Sequence, residues 1–145
     1  SVAVTAAASP SPKPSDRLNV LLAEDNPINQ QVARLQLDRL GCVVEVVNDG
    51  AAAVAAYQAA PARYHLILMD CQMPVLDGFE ATRAIRTWEA GQPQSRHVSI
   101  IAMTANAMAG DRELCLAAGM DDYLARPVGR QALSEALDRY RRAIA

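Results

Sequence analysis

The sequence predicts an α/β fold with one doubly wound parallel sheet of five strands and five helices. Five short apolar segments, rich in Val, Ile and Leu, alternate along the chain with segments that have helical spacing or helix caps. The strands are mostly apolar, without polar alternation, which is typical of a sheet covered by helices on both faces. Four of them end at a charged or hydroxyl residue, so these polar groups are expected at one edge of the sheet.

The first strand and helix show how each element is predicted. The apolar run from Leu18 to Ala23 forms strand one and ends in Glu24-Asp25. Asn26 then offers a capping side chain, and Pro27 suits the first helical position because its missing N–H costs nothing there. Gly41 fits the end of this helix. We expect helix one to bury a stripe formed by Ile28, Val32 and Leu35.

The remaining elements follow by the same reasoning. Strands are predicted at Val43–Val47, at His65–Met69 ending in Asp70, at Val98–Met103 ending in Thr104, and at Asp122–Ala125 ending in Arg126. Helices are predicted at Ala51–Ala60, from Asp77 or Gly78 with Phe79, Thr82 and Ile85 on one face, at Ala107–Ala118 capped by Gly119, and at the end with Leu133, Leu137, Tyr140 and Ile144 at helical spacing. A long polar loop is expected from Glu89 to His97.

Composition limits the classes of function. The chain has 145 residues, 51% of them hydrophobic, which is enough for one domain with a core. A net charge of -2 gives no sign of a nucleic-acid or membrane partner, and no apolar stretch is long enough to cross a membrane. Three cysteines without metal-ligand spacing suggest a reducing cytoplasm. Residues 1–17 are Ala/Ser/Pro-rich and are expected to be a linker or residual flanking sequence, with the domain at 18–145, cut from a longer protein.

The polar residues at the strand ends suggest a common site. Asp25, Asp70, Thr104 and Arg126 each follow a predicted strand, and carboxyl ends of parallel strands meet at one edge. Carboxylates gathered there would suit a divalent cation. An aspartate in such a pocket can also act as a nucleophile and become phosphorylated.

The motifs around these residues resemble the receiver domain of two-component signalling, most closely the receivers of hybrid sensor histidine kinases. The matching segments are Ala23-Glu24-Asp25-Asn26, Met69-Asp70-Cys71-Gln72-Met73-Pro74, Asp77-Gly78, Thr104-Ala105 and Asp122-Tyr123-Leu124-Ala125-Arg126-Pro127. Their order and spacing are specific in combination. The resemblance implies a flavodoxin-like, CheY-like fold with strand order 2-1-3-4-5.

The resemblance also implies a phosphorelay chemistry. Asp70 would accept a phosphoryl group from a histidine kinase or a histidine phosphotransfer domain. Mg²⁺ would be held directly by Asp25 and Asp70, through water by Glu24, and by the Gln72 carbonyl. A cation is needed in such a pocket because two carboxylates 4 Å apart repel by roughly 4 kcal/mol at an effective dielectric constant near 20.

Three further residues have roles implied by the family. Thr104 would hydrogen-bond a phosphoryl oxygen, and Tyr123 would act with it as a switch that reshapes the face of helix four, strand five and helix five. Arg126 stands where the family normally has lysine; it keeps the charge but not the geometry of an ammonium group. The isolated domain is not expected to be an enzyme beyond accepting the phosphoryl group and slowly losing it. A weak homodimer and the cytoplasmic part of a membrane-bound sensor kinase are further expectations.

Other interpretations stay open from the sequence. A phosphatase or phosphomutase would need a second Asp where Gln72 stands, and a nucleotide-binding module would need a glycine-rich loop in place of residues 24–27. A pseudo-receiver that only docks a partner is compatible with Arg126. Glu24 and Asp25 could instead interact only with a helix dipole, Thr104 could be an ordinary helix cap, and Tyr123 a fixed aromatic.

Overall fold

The computed structural model describes residues 17–93, 96–105, 109–125 and 128–144. Its strands are β1 (Asn19–Ala23), β2 (Val43–Val47), β3 (Leu66–Asp70), β4 (Ser99–Thr104) and β5 (Asp122–Ala125). Its α-helices are α1 (Pro27–Arg39), α2 (Gly50–Ala59), α3 (Gly78–Ala90), α4 (Ala109–Ala118) and α5 (Arg130–Ile144), with a 3₁₀ turn at Pro61–Arg63. All strand pairs are parallel and the order is β2-β1-β3-β4-β5, which confirms the predicted topology. None of the helices in these ranges is long and apolar enough to cross a membrane.

The register of the sheet brings the predicted site residues to one edge. Ala23 at the end of β1 pairs with Met69 of β3, so residues 24 and 25 follow β1 where Asp70 ends β3. Asp70 in turn pairs with Met103 of β4, so Thr104 lies one residue further along the neighbouring strand. Strand length and register alone therefore bring residues 24, 25, 70 and 104 to the same edge of the sheet.

The sheet separates two hydrophobic cores. Successive side chains of a strand point to opposite faces, so Leu21 and Ala23 pack with α2, α3 and α4 while Val20 and Leu22 pack with α1 and α5. This burial on both faces explains why the strands are apolar. The three cysteines are buried in these cores.

The predicted buried face of α1 is wrong. Ile28, Val32 and Leu35 are 71%, 48% and 57% exposed, whereas Leu37 is fully buried. The helix carries a second set of apolar residues at spacing i, i+4 and i+7, and this set packs against the core: Ala33, Leu37 and Leu40. Both faces of α1 therefore have helical periodicity, and tertiary contacts decide which one is buried.

The predicted loop from Glu89 to His97 begins too early. Helix α3 continues to Ala90, and Glu89 is only 5% exposed. Its carboxylate accepts hydrogen bonds from the Tyr57 hydroxyl (2.6 Å) and the Val98 amide (2.8 Å), and it pairs with Arg86 (2.8 Å). A buried charge with these partners is stable. Glu89, which its charge had placed in a polar loop, is therefore part of the core.

The other boundaries agree with the predictions to within one or two residues. Thr82 and Ile85 of α3 are buried and Phe79 is partly buried, as expected. Leu133 and Leu137 of α5 are buried as well. Residues 1–16 of the predicted linker, the start of helix four at 107 and 108, and Arg126 lie outside the described residues.

Candidate acidic site

Three carboxylates meet at the carboxyl edge of the sheet. Oxygen atoms of Glu24, Asp25 and Asp70 all lie within 4.8 Å of one another. Glu24 is 1% and Asp70 2% exposed, while Asp25 is exposed to solvent. The cluster is therefore a partly closed acidic pocket with Asp25 at its solvent side.

Local backbone contacts orient the Glu24 side of the pocket. The Glu24 amide donates to the Val47 carbonyl (3.1 Å), which extends the β1–β2 ladder by one residue. The Asn26 amide donates to Glu24 Oε2 (3.1 Å), while Asn26 Oδ1 caps α1 by accepting from the amides of Ile28 (2.9 Å) and Asn29 (3.2 Å). The residue that starts the helix thus also fixes the carboxylate, and the amino end of α1 lies close to these negative charges.

Asp70 is held by its own loop. Asp70 Oδ1 accepts a hydrogen bond from the Gln72 amide at 3.0 Å. The backbone then turns back on itself, because the Gly78 amide donates to the Cys71 carbonyl at 3.1 Å. The Gln72 side chain is exposed; its carbonyl as a metal ligand stays a prediction.

Two glycines that sequence reasoning did not assign to the site shape this loop. A Cβ on Gly78 would overlap the Asp70 carbonyl oxygen and lie 3.0 Å from Cys71 Cα; one on Gly50 would overlap the Leu76 carbonyl oxygen. Each glycine is the first residue of a helix whose cap is an aspartate. The repeated Asp-Gly step at 49–50 and 77–78 was the available sequence signal.

The donor set of the pocket fits a hard divalent cation. It offers carboxylate oxygens and one solvent-facing ligand, which matches the preference of Mg²⁺ for a few carboxylates with retained waters. Three carboxylates this close repel one another by several kcal/mol unless a cation compensates, since roughly 4 kcal/mol applies to each pair at 4 Å. The chemistry of the pocket therefore favours metal binding.

The predicted switch residues lie on the neighbouring strands. Thr104 is buried (6% exposed) at the end of β4. Tyr123 on β5 pairs with Ala102 and is half-buried against the core shared by α2, α3 and α4. These positions are compatible with the predicted roles and also with a fixed aromatic. The predicted phosphoryl-binding Arg126 lies outside the described residues.

Comparison with known proteins identifies the family. Residues 20–138 match the family described as the response regulator receiver domain. The chain belongs to the receiver family. The fold described above is the CheY-like receiver fold, and similar receivers occur in hybrid histidine kinases.

Three similar proteins illustrate the relationship. The receiver domain of the sensor histidine kinase PA1611 from Pseudomonas aeruginosa PAO1, solved with a magnesium ion coordinated in the active site cleft, is 51% identical with a TM-score of 0.75, covering 86% of this chain and 97% of that chain. A chain in the complex of the Saccharomyces cerevisiae phosphotransfer protein Ypd1 with the receiver domain of Ssk1 is 35% identical with a TM-score of 0.78, covering 86% and 88%. The sensor protein GacS of Pseudomonas syringae pv. syringae is 44% identical over 116 residues, or 80% of this chain. This receiver spans only 7 to 16% of the length of the curated relatives it matches.

Proposed function

We propose that this receiver accepts a phosphoryl group from a phosphohistidine onto Asp70 in a Mg²⁺-dependent reaction. The observation that carries the proposal is the meeting of Glu24, Asp25 and Asp70 within 4.8 Å. An Asp70 carboxylate oxygen forms the new P–O bond while the P–N bond to the donor imidazole breaks, and the imidazole keeps the electron pair. The product is an aspartyl phosphate that hydrolyses slowly.

The site residues have distinct proposed roles. Asp25 and Asp70 would bind Mg²⁺ directly, Glu24 through water, and the Gln72 carbonyl would complete the set. When bound, the ion supplies positive charge that compensates the carboxylates and the transferring phosphoryl group. The Gln72 amide orients Asp70 by its hydrogen bond to Oδ1, so the carboxylate is positioned before a donor arrives.

An exposed apolar surface next to the site supports a helical protein partner. Ile28, Val32 and Leu35 follow one face of α1 at spacing i, i+4 and i+7, and Val75, in the loop after Asp70, is 82% exposed. Apolar side chains at this spacing suit helix packing, and grouped exposed apolar residues mark interaction surfaces. We propose that a histidine kinase or histidine phosphotransfer domain docks here. The structural similarity to a receiver crystallised with Ypd1 agrees with this choice.

The switching step and the parent protein are also proposals. Thr104 would bind a phosphoryl oxygen, and Tyr123 would then move with it, reshaping the surface of α4, β5 and α5. The parent is proposed to be a hybrid sensor histidine kinase with this domain in the cytoplasm. A weak homodimer stays a prediction.

The proposed chemistry is tested by incubating the chain with Mg²⁺ and acetyl phosphate and measuring the intact mass. We expect a gain of one phosphoryl group that is lost in Asp70→Asn and when Mg²⁺ is chelated. Asp49→Asn is the matched control. Position 49 lies outside the acidic pocket, and Asn is as good a cap for α2 as Asp. No gain in the native chain with any donor would support a pseudo-receiver that only docks.

Arg126 is tested separately. We propose that its guanidinium binds the phosphoryl group but changes transfer or lifetime relative to lysine. Arg126→Lys and the native chain are compared for labelling rate and aspartyl phosphate lifetime with acetyl phosphate. Equal rates and equal lifetimes would show that the arginine makes no difference.

The docking surface is tested by Val32→Ser. Transfer from a phosphorylated histidine phosphotransfer domain such as Ypd1 should slow, while labelling by acetyl phosphate should stay unchanged because that donor needs no protein interface. Val43→Ser, at a residue 47% exposed at the other end of the sheet, is the control. Equal slowing of both reactions, or slowing in the control, would contradict the proposed surface.

A further inference from the structure

We infer that Gln30 is a positioning residue of the acidic site, an inference that rests on the proposed function. Its side-chain amide donates both of its hydrogens: one to the Glu24 carbonyl and one to Asn48 Oδ1, at 2.7 Å. Gln30 lies in the first turn of α1, where its own amide donates to the Asn26 carbonyl at 2.9 Å. It is part-buried, whereas the next residue, Gln31, is exposed.

The bond to Glu24 controls the orientation of Asp25. The Glu24 carbonyl and the Asp25 amide belong to one peptide group, which is planar. The preceding amide, that of Glu24, is already held by the Val47 carbonyl. Gln30 holds the carbonyl of Glu24. The orientation of the peptide group between Glu24 and Asp25 is therefore fixed, and with it the direction in which the chain places Asp25. Asp25 is the exposed member of the cluster and therefore the one that most needs such support.

The bond to Asn48 joins a second loop to the first. Asn48 follows β2 and precedes Asp49, the cap of α2. The next residue, Gly50, donates its amide to the Leu76 carbonyl at 3.1 Å, in the loop that follows Asp70. Gln30 thus connects the loop of Glu24 and Asp25 to the loop that supports the Asp70 segment.

This arrangement opposes the repulsion between the carboxylates. Without a bound cation the three acids repel one another, so an untethered Asp25 would move away from Asp70. A metal ion would then have to draw the loop back, at a cost in affinity. Removing the partners that orient metal ligands typically weakens binding by roughly ten- to a hundredfold. Because Gln30 contacts no reacting atom, it should affect cation affinity more than phosphoryl transfer at saturating Mg²⁺.

The test compares Gln30→Met with Gln31→Met. Methionine keeps the length and the helix propensity but lacks the donor. Mg²⁺ is titrated while amide chemical shifts are followed, and labelling by acetyl phosphate is measured at saturating Mg²⁺. We expect Gln30→Met to weaken Mg²⁺ binding about tenfold, with labelling at saturation within about twofold of native and Gln31→Met unchanged in both. Asn48 is exposed, so Asn48→Ala should leave the fold intact. This variant should also weaken Mg²⁺ binding, but by less than Gln30→Met.

The outcomes separate this inference from the proposed function. If the native chain binds Mg²⁺ and is labelled while Gln30→Met and Asn48→Ala bind it equally well, the positioning role is wrong and the proposed function stands. Equal weakening in Gln31→Met would also refute the role. If the native chain neither binds Mg²⁺ nor is labelled, both proposals fail.

Discussion

Gly78→Ala isolates the effect of one methyl group on the loop that carries Asp70. The new Cβ would overlap the Asp70 carbonyl oxygen and lie 3.0 Å from Cys71 Cα, and both neighbours are backbone atoms. Backbone cannot rotate aside as a side chain can, so the amino end of α3 or the end of β3 must shift. Overpacking of this kind costs about 1 to 3 kcal/mol, and Ala returns little of it through helix propensity, because Gly78 is the first residue of α3 and not an interior one.

We therefore expect Gly78→Ala to lower the free energy of unfolding by about 1 to 3 kcal/mol and the midpoint of thermal unfolding by roughly 4 °C for each kcal/mol. Since the displaced atoms belong to Asp70 and Cys71, labelling by acetyl phosphate should fall on the order of tenfold or more. Urea unfolding followed by Trp88 fluorescence and intact mass after timed labelling measure the two effects.

Gly91→Ala is the matched control for that experiment. Gly91 caps the C-terminal end of α3, and among the residues that the structure describes a Cβ there would meet only the Trp88 and Thr87 carbonyl oxygens, at 3.6 and 4.0 Å. This substitution should change stability by less than about 0.5 kcal/mol and leave labelling unchanged. If Gly78→Ala were as stable and as readily labelled as Gly91→Ala, the argument that glycine is required beside Asp70 would be refuted.

Three further predictions concern the cores. Tyr57→Phe should cost roughly 2 kcal/mol in urea unfolding, because it removes a buried hydrogen bond to a charged carboxylate, that of Glu89; no loss would contradict the network. Leu37→Ala should lower the free energy of unfolding by about 2 to 5 kcal/mol. Leu35 is 57% exposed, so a larger loss in Leu35→Ala than in Leu37→Ala would contradict the observed orientation of α1. Burial and the Glu45 carboxylate raise the pKa of Tyr64 from 10.0 to about 12, so the folded state holds the proton more tightly. The free energy of unfolding should fall as pH rises from 10 to 12, and less steeply in Tyr64→Phe; identical slopes would refute this assignment.

The sequence predicted the sheet and the acidic pocket well because both depend on local patterns. The strand Val43–Val47 and the strand Asp122–Ala125 have the predicted bounds, since each is a short, largely apolar segment between turn residues. Once the strands are parallel and adjacent, the acids after β1 and at the end of β3 must meet.

The errors arose where partners distant in the sequence decide the structure. Periodicity gives the spacing of a helix but not which face is buried, and α1 has two apolar faces. Glu89 looked like a loop residue because two of the groups that donate hydrogen bonds to its carboxylate are distant in the sequence, Tyr57 by 32 residues and Val98 by nine. Gln30 and Asn48 are likewise 18 residues apart, so no local motif showed their contact.

The double use of Asn26 has a consequence for local stability. Its side chain caps α1 and its amide donates to the Glu24 carboxylate, so fraying of the first helical turn would also release one side of the acidic pocket. A cation that binds only the intact pocket must therefore suppress that fraying. Amide hydrogen exchange in the first turn of α1 should slow as the cation concentration rises, which would link metal occupancy to the order of the surface proposed for the phosphodonor.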